Sequence, residues 1–164
     1  MRIALPDDGA PRLELIDAER AGCDEAGLRE LARAWAPAQG AAAVSRSYRF
    51  PYALVGWHND RLGVDIERIE PCSPALAESI STPSERAAGV ATGDEAVISL
   101  WSSKEALAKA LGDALRYDPR RLESPVGWPG GAAGPWRARR LPVPDGYCAW
   151  VCWRGAPTPP HRPR

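Results

Sequence analysis

The run Leu100-Trp101-Ser102-Ser103-Lys104-Glu105-Ala106-Leu107-Ala108-Lys109-Ala110-Leu111-Gly112 constrains this chain most. Strong helix formers throughout, no proline and a terminal glycine predict a helix closed at Gly112. Asp94, after Gly93, is its expected N-cap, with Glu95 in the first turn where the helix dipole favours negative charge. At about 100° per residue, Val97, Leu100, Leu107 and Leu111 form one apolar stripe. Glu105 and Lys109 lie one turn apart on another face, beside Trp101 and Ile98. The predicted helix therefore has a core side and a charged side.

Of the chain's 21 basic residues only Lys104 and Lys109 are lysines. A lysine ammonium is a compact cation that suits phosphate and can transfer a proton, unlike the arginines used everywhere else. An ordinary surface Glu-to-Lys pair explains the spacing equally well.

Bulk composition narrows the class. The 164 residues carry zero net charge, with 26% charged and 45% hydrophobic, as expected of one soluble globular core or two small subdomains. No stretch approaches a membrane span, and the N-terminal residues show no signal-peptide core, so a cytoplasmic location is expected. Charge balance and the lack of interleaved aromatic and basic residues argue against nucleic acid. Cys148 and Cys152 fall on one face of an expected strand, too far apart to bridge directly, and read as buried thiols.

Taken in order, the chain predicts short strands around Ile3–Leu5 and Leu13–Ile16, then a helix from Glu25 to Trp35. That helix should show Leu28, Leu31 and Trp35 on one face and end at Pro37. Val44 to Trp57 is β-like, and a turn at His58–Arg61 leads into Leu62–Glu67, read as a hairpin. Ser73-Pro74 and the capping box Thr82-Pro83-Ser84-Glu85 start two short helices. A final hairpin, Trp136–Leu141 with Tyr147–Trp153, precedes a proline-rich tail from Gly155 to Arg164, expected to be disordered.

Within Leu62–Glu67, apolar residues alternate with carboxylates, so Asp65 and Glu67 project from one face. Two carboxylates so placed make half of a site for a hard ion such as Mg²⁺. A half-exposed strand with its polar face to water explains the same alternation.

Gly63-Val64-Asp65-Ile66-Glu67 and Trp101-Ser102-Ser103-Lys104-Glu105-Ala106-Leu107-Ala108-Lys109 together resemble the paired signature of the 4′-phosphopantetheinyl transferases, in particular the surfactin-synthetase-activating type. The resemblance implies an α+β fold of two similar α/β halves related by a pseudo-two-fold, each a small antiparallel sheet with a packed helix. Residues 1–43 then form a shortened part of the first half, residues 44–154 the main transferase region and 155–164 the tail.

The resemblance further implies that Asp65, Glu67 and Glu105 ligate Mg²⁺ beside the diphosphate of coenzyme A. Glu105 becomes the general base toward a serine of an apo acyl- or peptidyl-carrier protein. Lys109 stabilises or protonates the leaving phosphate, and Lys104 holds a phosphate oxygen. The stretch Ser45-Arg46-Ser47 stands where such proteins typically show Ser-His-Ser, giving Ser45 and Arg46 as coenzyme A ligands. No Gly-Lys-Pro-like segment precedes it. Arg116, Arg120, Arg121, Arg137, Arg139 and Arg140 offer a surface for an acidic carrier. A monomer is implied, serving polyketide, nonribosomal peptide or fatty acid synthesis. The Arg46 replacement also admits a repurposed or non-catalytic member that binds a different ligand or a carrier protein.

Overall fold

The computed structural model describes residues 1–35 and 42–155. It begins with β1 (Arg2–Ile3), β2 (Arg12–Asp17), α1 (Ala18–Ala21) and α2 (Glu25–Trp35). Strands β3 (Ala43–Arg49), β4 (Tyr52–His58) and β5 (Leu62–Arg68) follow, then α3 (Pro74–Ile80), α4 (Pro83–Ala87) and α5 (Asp94–Leu111). Three short 3-10 turns lead to β6 (Ala132–Ala133), β7 (Trp136–Arg140) and β8 (Tyr147–Arg154).

Two antiparallel four-stranded sheets result, ordered β1-β2-β4-β3 and β5-β8-β7-β6. They share a core in which Leu13, Leu15 and Leu54 meet Leu62, Val64, Ile66, Val151 and Trp153. Helix α2 covers the other face of the first sheet, packing Leu28 and Ala32 against Ala53 and Val55. Helix α5 covers the other face of the second, with Ala106, Leu107 and Ala110 against Ala138, Cys148, Trp150 and Cys152. Each sheet repeats one connection: a strand (β2 or β5), a helix packed on its sheet (α2 or α5), then a hairpin whose second strand pairs with that first strand.

The period-two alternation of β5 places the site. Val64 pairs with Val151 and Ile66 with Ala149, all four in the core between the sheets. Asp65 and Glu67, on the opposite face, must then point toward α5. Cys148 and Cys152 on β8 take the same side and are buried free thiols.

Several local expectations hold. Ser73 and Thr82 cap α3 and α4, Thr82 in a complete capping box with Glu85, and Gly112 closes α5 at φ 83°. Others need correction. The expected hairpin between β4 and β5 does not form: β4 pairs with β2 and β3, and the His58–Arg61 turn carries the chain into the other sheet. The edge of β5 faces β3 without a ladder, and the Val64 N–H donates to Ser45 Oγ at 3.0 Å instead.

The N-cap of α5 is Gly93, so Asp94 is its first residue and its carboxylate accepts from the Cys72 N–H at 2.9 Å. On α2 the residue that shares the core face with Leu28 is Ala32, with Trp35 packed against them as expected, and Leu31 is exposed. Pro37 and the tail beyond Gly155 lie outside the described residues. Among those described, no helix is long and apolar enough to cross a membrane.

Candidate active site

Close approach of a strand to a helix backbone creates the site. A Cβ placed on Gly63 would lie 1.9 Å from the Ala106 carbonyl oxygen and 2.6 Å from the Ala110 nitrogen of α5. Only glycine lets β5 rest there, which brings Asp65 beside Lys109. Lys109 Nζ donates to Asp65 Oδ1 at 2.7 Å and to the Val64 carbonyl at 3.0 Å. Ser47 Oγ, from β3, donates to the same carboxylate oxygen at 2.9 Å. Asp65 Oδ2 is buried and has no hydrogen-bond partner. A buried carboxylate oxygen in that condition is costly unless something fills its lone pairs.

Glu67, two residues on, is paired with the Arg49 guanidinium. Burial and the neighbouring Asp65 carboxylate raise its pKa, against the opposing pull of Arg49 and the Trp101 indole. Glu105 is half-buried on α5, and its Oε1 accepts from the Tyr117 hydroxyl at 2.5 Å. Burial is also the main cause raising the Glu105 pKa, with Asp65 adding to it and Tyr117 and Lys109 opposing. The Tyr117 phenol is pushed up by burial and by Glu105, so it remains a donor.

Asp65 thus acts electrostatically on both glutamates. Even so, among the described residues no three His, Cys, Asp or Glu side chains converge closely enough to chelate an ion. The carboxylates are neighbours, each engaged by a donor of its own. Their chemistry is that of a hard-ion site, and Asp65 Oδ2 supplies an open ligand atom, but Glu67 and Glu105 must turn to close a cage.

A pocket of about 620 Å³ opens beside Lys109, lined also by Ser45, Arg46, Leu62, Asp113 and Arg116. A smaller one of about 210 Å³ is lined by Arg49, Glu67, Arg68, Ile98 and Trp101. A mainly apolar pocket of about 630 Å³, lined by Leu15, Leu31, Trp35 and Tyr52 with Glu14 and Asp17, lies against β2 and α2. Of Asp65, Glu67 and Glu105 only Glu67 lines one of these pockets, the smallest, while Lys109 lines the 620 Å³ one.

The structure thus pairs Asp65 with Lys109 and sets Glu67 and Glu105 within electrostatic reach of Asp65 without converging the three carboxylates, while Ser45 and Arg46 line the pocket beside Lys109. Two of these have other duties. Ser45 Oγ holds the Val64 N–H, while Arg46 Nε donates at 3.0 Å to the Ala32 carbonyl near the C-terminus of α2. Lys104 is a correction. It is wholly buried on the core side of α5, and its ammonium donates to Glu85 Oε2 at 2.6 Å and to the Ile80 and Pro119 carbonyls at 2.6 and 2.7 Å. With three donors used, it has none left for a phosphate.

Ser47, Arg49 and Tyr117 are site residues that the sequence reading missed. Ser47 lies two residues from Ser45 and so on the same strand face, a signal that was available. Tyr117 sits in an irregular run, where no periodicity points to it.

Of the expected arginine surface, Arg120, Arg139 and Arg140 are paired with Asp118, Asp7 and Glu95.

Residues 61–133, rather less than half of the chain, match the family model of the 4′-phosphopantetheinyl transferase superfamily. The matched span contains β5, α5, Tyr117 and all three carboxylates. No curated protein matches the chain at a significant level.

Proposed function

We propose that this protein transfers 4′-phosphopantetheine from coenzyme A to a serine of an apo acyl- or peptidyl-carrier protein, releasing 3′,5′-ADP. The observation that carries the reading is the buried, unpartnered Asp65 Oδ2, set beside two carboxylates whose pKa is raised by burial first and by Asp65 in addition, and one turn-spaced Glu105–Lys109 pair. The family match over these residues supports it. The repeated strand–helix–hairpin connection in the two sheets supports a pseudo-two-fold, with the ligand held where the halves meet.

Asp65, Glu67 and Glu105 would hold the ion, which we take to be Mg²⁺. Bound there, it would supply positive charge to offset that of the coenzyme A diphosphate. Glu105 takes the proton from the carrier serine hydroxyl, a task suited to a carboxylate whose pKa burial has raised. The serine oxygen forms its bond to phosphorus as the bond to the departing 3′,5′-ADP oxygen breaks. Lys109, which already lines the larger pocket, donates to that leaving phosphate. Arg46 and Arg116 line the same pocket and offer guanidinium groups for the nucleotide phosphates. We further propose that the protein acts as a monomer in the cytoplasm.

The test is incubation with coenzyme A, Mg²⁺ and apo carrier proteins, followed by intact mass measurement. A phosphopantetheine increment on the carrier that disappears with Glu105→Ala is the expected result. A folded protein that modifies none of several carriers would overturn it. Coenzyme A binding without transfer would favour the second reading, a non-catalytic ligand binder.

A further inference from the structure

We propose that Tyr117 is the residue that orients Glu105 for the metal, and that Lys104 acts with it by anchoring the segment that carries it. This rests on the reading above that Asp65, Glu67 and Glu105 hold a divalent ion.

The geometry is specific. Beyond Gly112 the chain leaves α5 and turns back, so that the Tyr117 hydroxyl reaches Glu105 Oε1 at 2.5 Å. That contact occupies one carboxylate oxygen and leaves the other free to turn toward the ion. The backbone that carries the hydroxyl is held on both sides. The Tyr117 N–H donates to the Asp113 carbonyl at 3.1 Å. Two residues later the Pro119 carbonyl accepts from Lys104 Nζ at 2.7 Å.

Lys104 is in turn held by Glu85, whose other oxygen accepts the Ser124 N–H at 2.7 Å. The segment from Pro119 to Ser124 is thereby pinned at both ends to one buried ion pair. Adjacent residues of one helix thus divide the work: Glu105 faces the site, and Lys104, turned about 100° away toward the core, fixes the loop that returns to hold Glu105. Tyr117 is a positioning residue, acting through the carboxylate it holds. Hydrogen bonds from such supporting groups commonly control the affinity of a metal site by about 10- to 100-fold.

The experiment uses the full chain and Mn²⁺ as a paramagnetic stand-in for Mg²⁺, with affinity measured by electron paramagnetic resonance. Tyr117→Phe is expected to weaken Mn²⁺ binding at least about tenfold while the thermal midpoint stays near that of wild type. In transfer assays the Mg²⁺ requirement should rise while the KM for coenzyme A stays unchanged, a split that a general loss of structure would not give. As a readout independent of any variant's folding, ¹³Cζ-tyrosine labelling of wild type should show the Tyr117 resonance move on saturation with Mg²⁺. Unchanged Mn²⁺ affinity in Tyr117→Phe, or a Tyr117 resonance that Mg²⁺ leaves in place, overturns the assignment alone. Wild-type protein that binds Mn²⁺ no better than Asp65→Asn overturns the metal reading and this assignment with it.

Discussion

Lys104 Nζ and Glu85 Oε2 lie 2.6 Å apart in the core, the lysine side chain without any solvent exposure. Removing one partner of such a pair leaves an uncompensated buried charge, which typically costs about 3–5 kcal/mol. Lys104→Met is therefore expected to lose about that much stability in chemical denaturation. Lys109→Met should lose less, about 1–3 kcal/mol, since Asp65 keeps its bond from Ser47 and Lys109 is partly exposed. Transfer activity should order them differently: folded Lys104→Met retains some, and Lys109→Met retains almost none. Equal stabilities for the two variants would contradict the burial argument.

The two lysines show what the sequence could and could not tell. Lys109 stands one turn beyond Glu105 and Lys104 directly before it, and the amphipathic pattern put Glu105 and Lys109 on the half-exposed face with Ile98 and Trp101, where they are found. Lys104 departed from the expectation because its partners, Glu85 and Pro119, are distant in sequence. No local pattern announces a buried pair of that kind. The capping box at Thr82 was legible because its contacts span three residues, yet the same Glu85 carboxylate also holds Lys104 and Ser124. The β4–β5 turn was read correctly as a turn, but turn composition carries no information about which sheet the next strand will join.

Asp65 Oδ2 without a partner predicts a response to divalent ions. A ligand that binds only the folded state stabilises it by RT ln(1 + [L]/Kd), about 2.7 kcal/mol at a hundredfold excess over Kd. Mg²⁺ with coenzyme A should therefore raise the thermal midpoint of wild type by several degrees. Asp65→Asn should abolish that rise, and chelation should reverse it in wild type. A midpoint that is indifferent to Mg²⁺ would leave the orphaned oxygen without its proposed occupant.

Glu105 gives a pH dependence of known sign. Its pKa in the folded chain is raised above the ordinary 4.5, chiefly by burial, so folding favours the protonated form. That contribution is present below the unfolded value and is lost as pH rises through the folded one. Glu105→Gln keeps an acceptor for Tyr117 and has nothing to ionise. In metal-free buffer it should match wild type below pH 4.5 and become the more stable of the two as pH rises toward neutrality. Saturating Mg²⁺ should reverse the difference, since the ion favours the ionised carboxylate of wild type. Thermal melts from acid to neutral pH, with chelator and with Mg²⁺, check both signs.

Gly63 and Gly56 separate a backbone constraint from a side-chain one. A methyl on Gly63 meets the α5 backbone, at Ala106 O and Ala110 N, and neither atom can move without the helix. A methyl on Gly56 meets only side-chain tips, Leu13 Cδ2 and Val64 Cγ1 at 2.9 Å, which rotamer changes can relieve in part. Overpacking typically costs about 1–3 kcal/mol and more where relief is blocked, so Gly63→Ala should cost at least about 3 kcal/mol and Gly56→Ala about 1–2 kcal/mol. Function should diverge further than stability. Displacing α5 from β5 separates Asp65 from Lys109 and from Glu105, so any folded Gly63→Ala should bind Mn²⁺ poorly, whereas folded Gly56→Ala should bind it normally. Denaturation curves together with Mn²⁺ titrations of both variants test whether the glycine of β5 sets the spacing on which the three carboxylates depend.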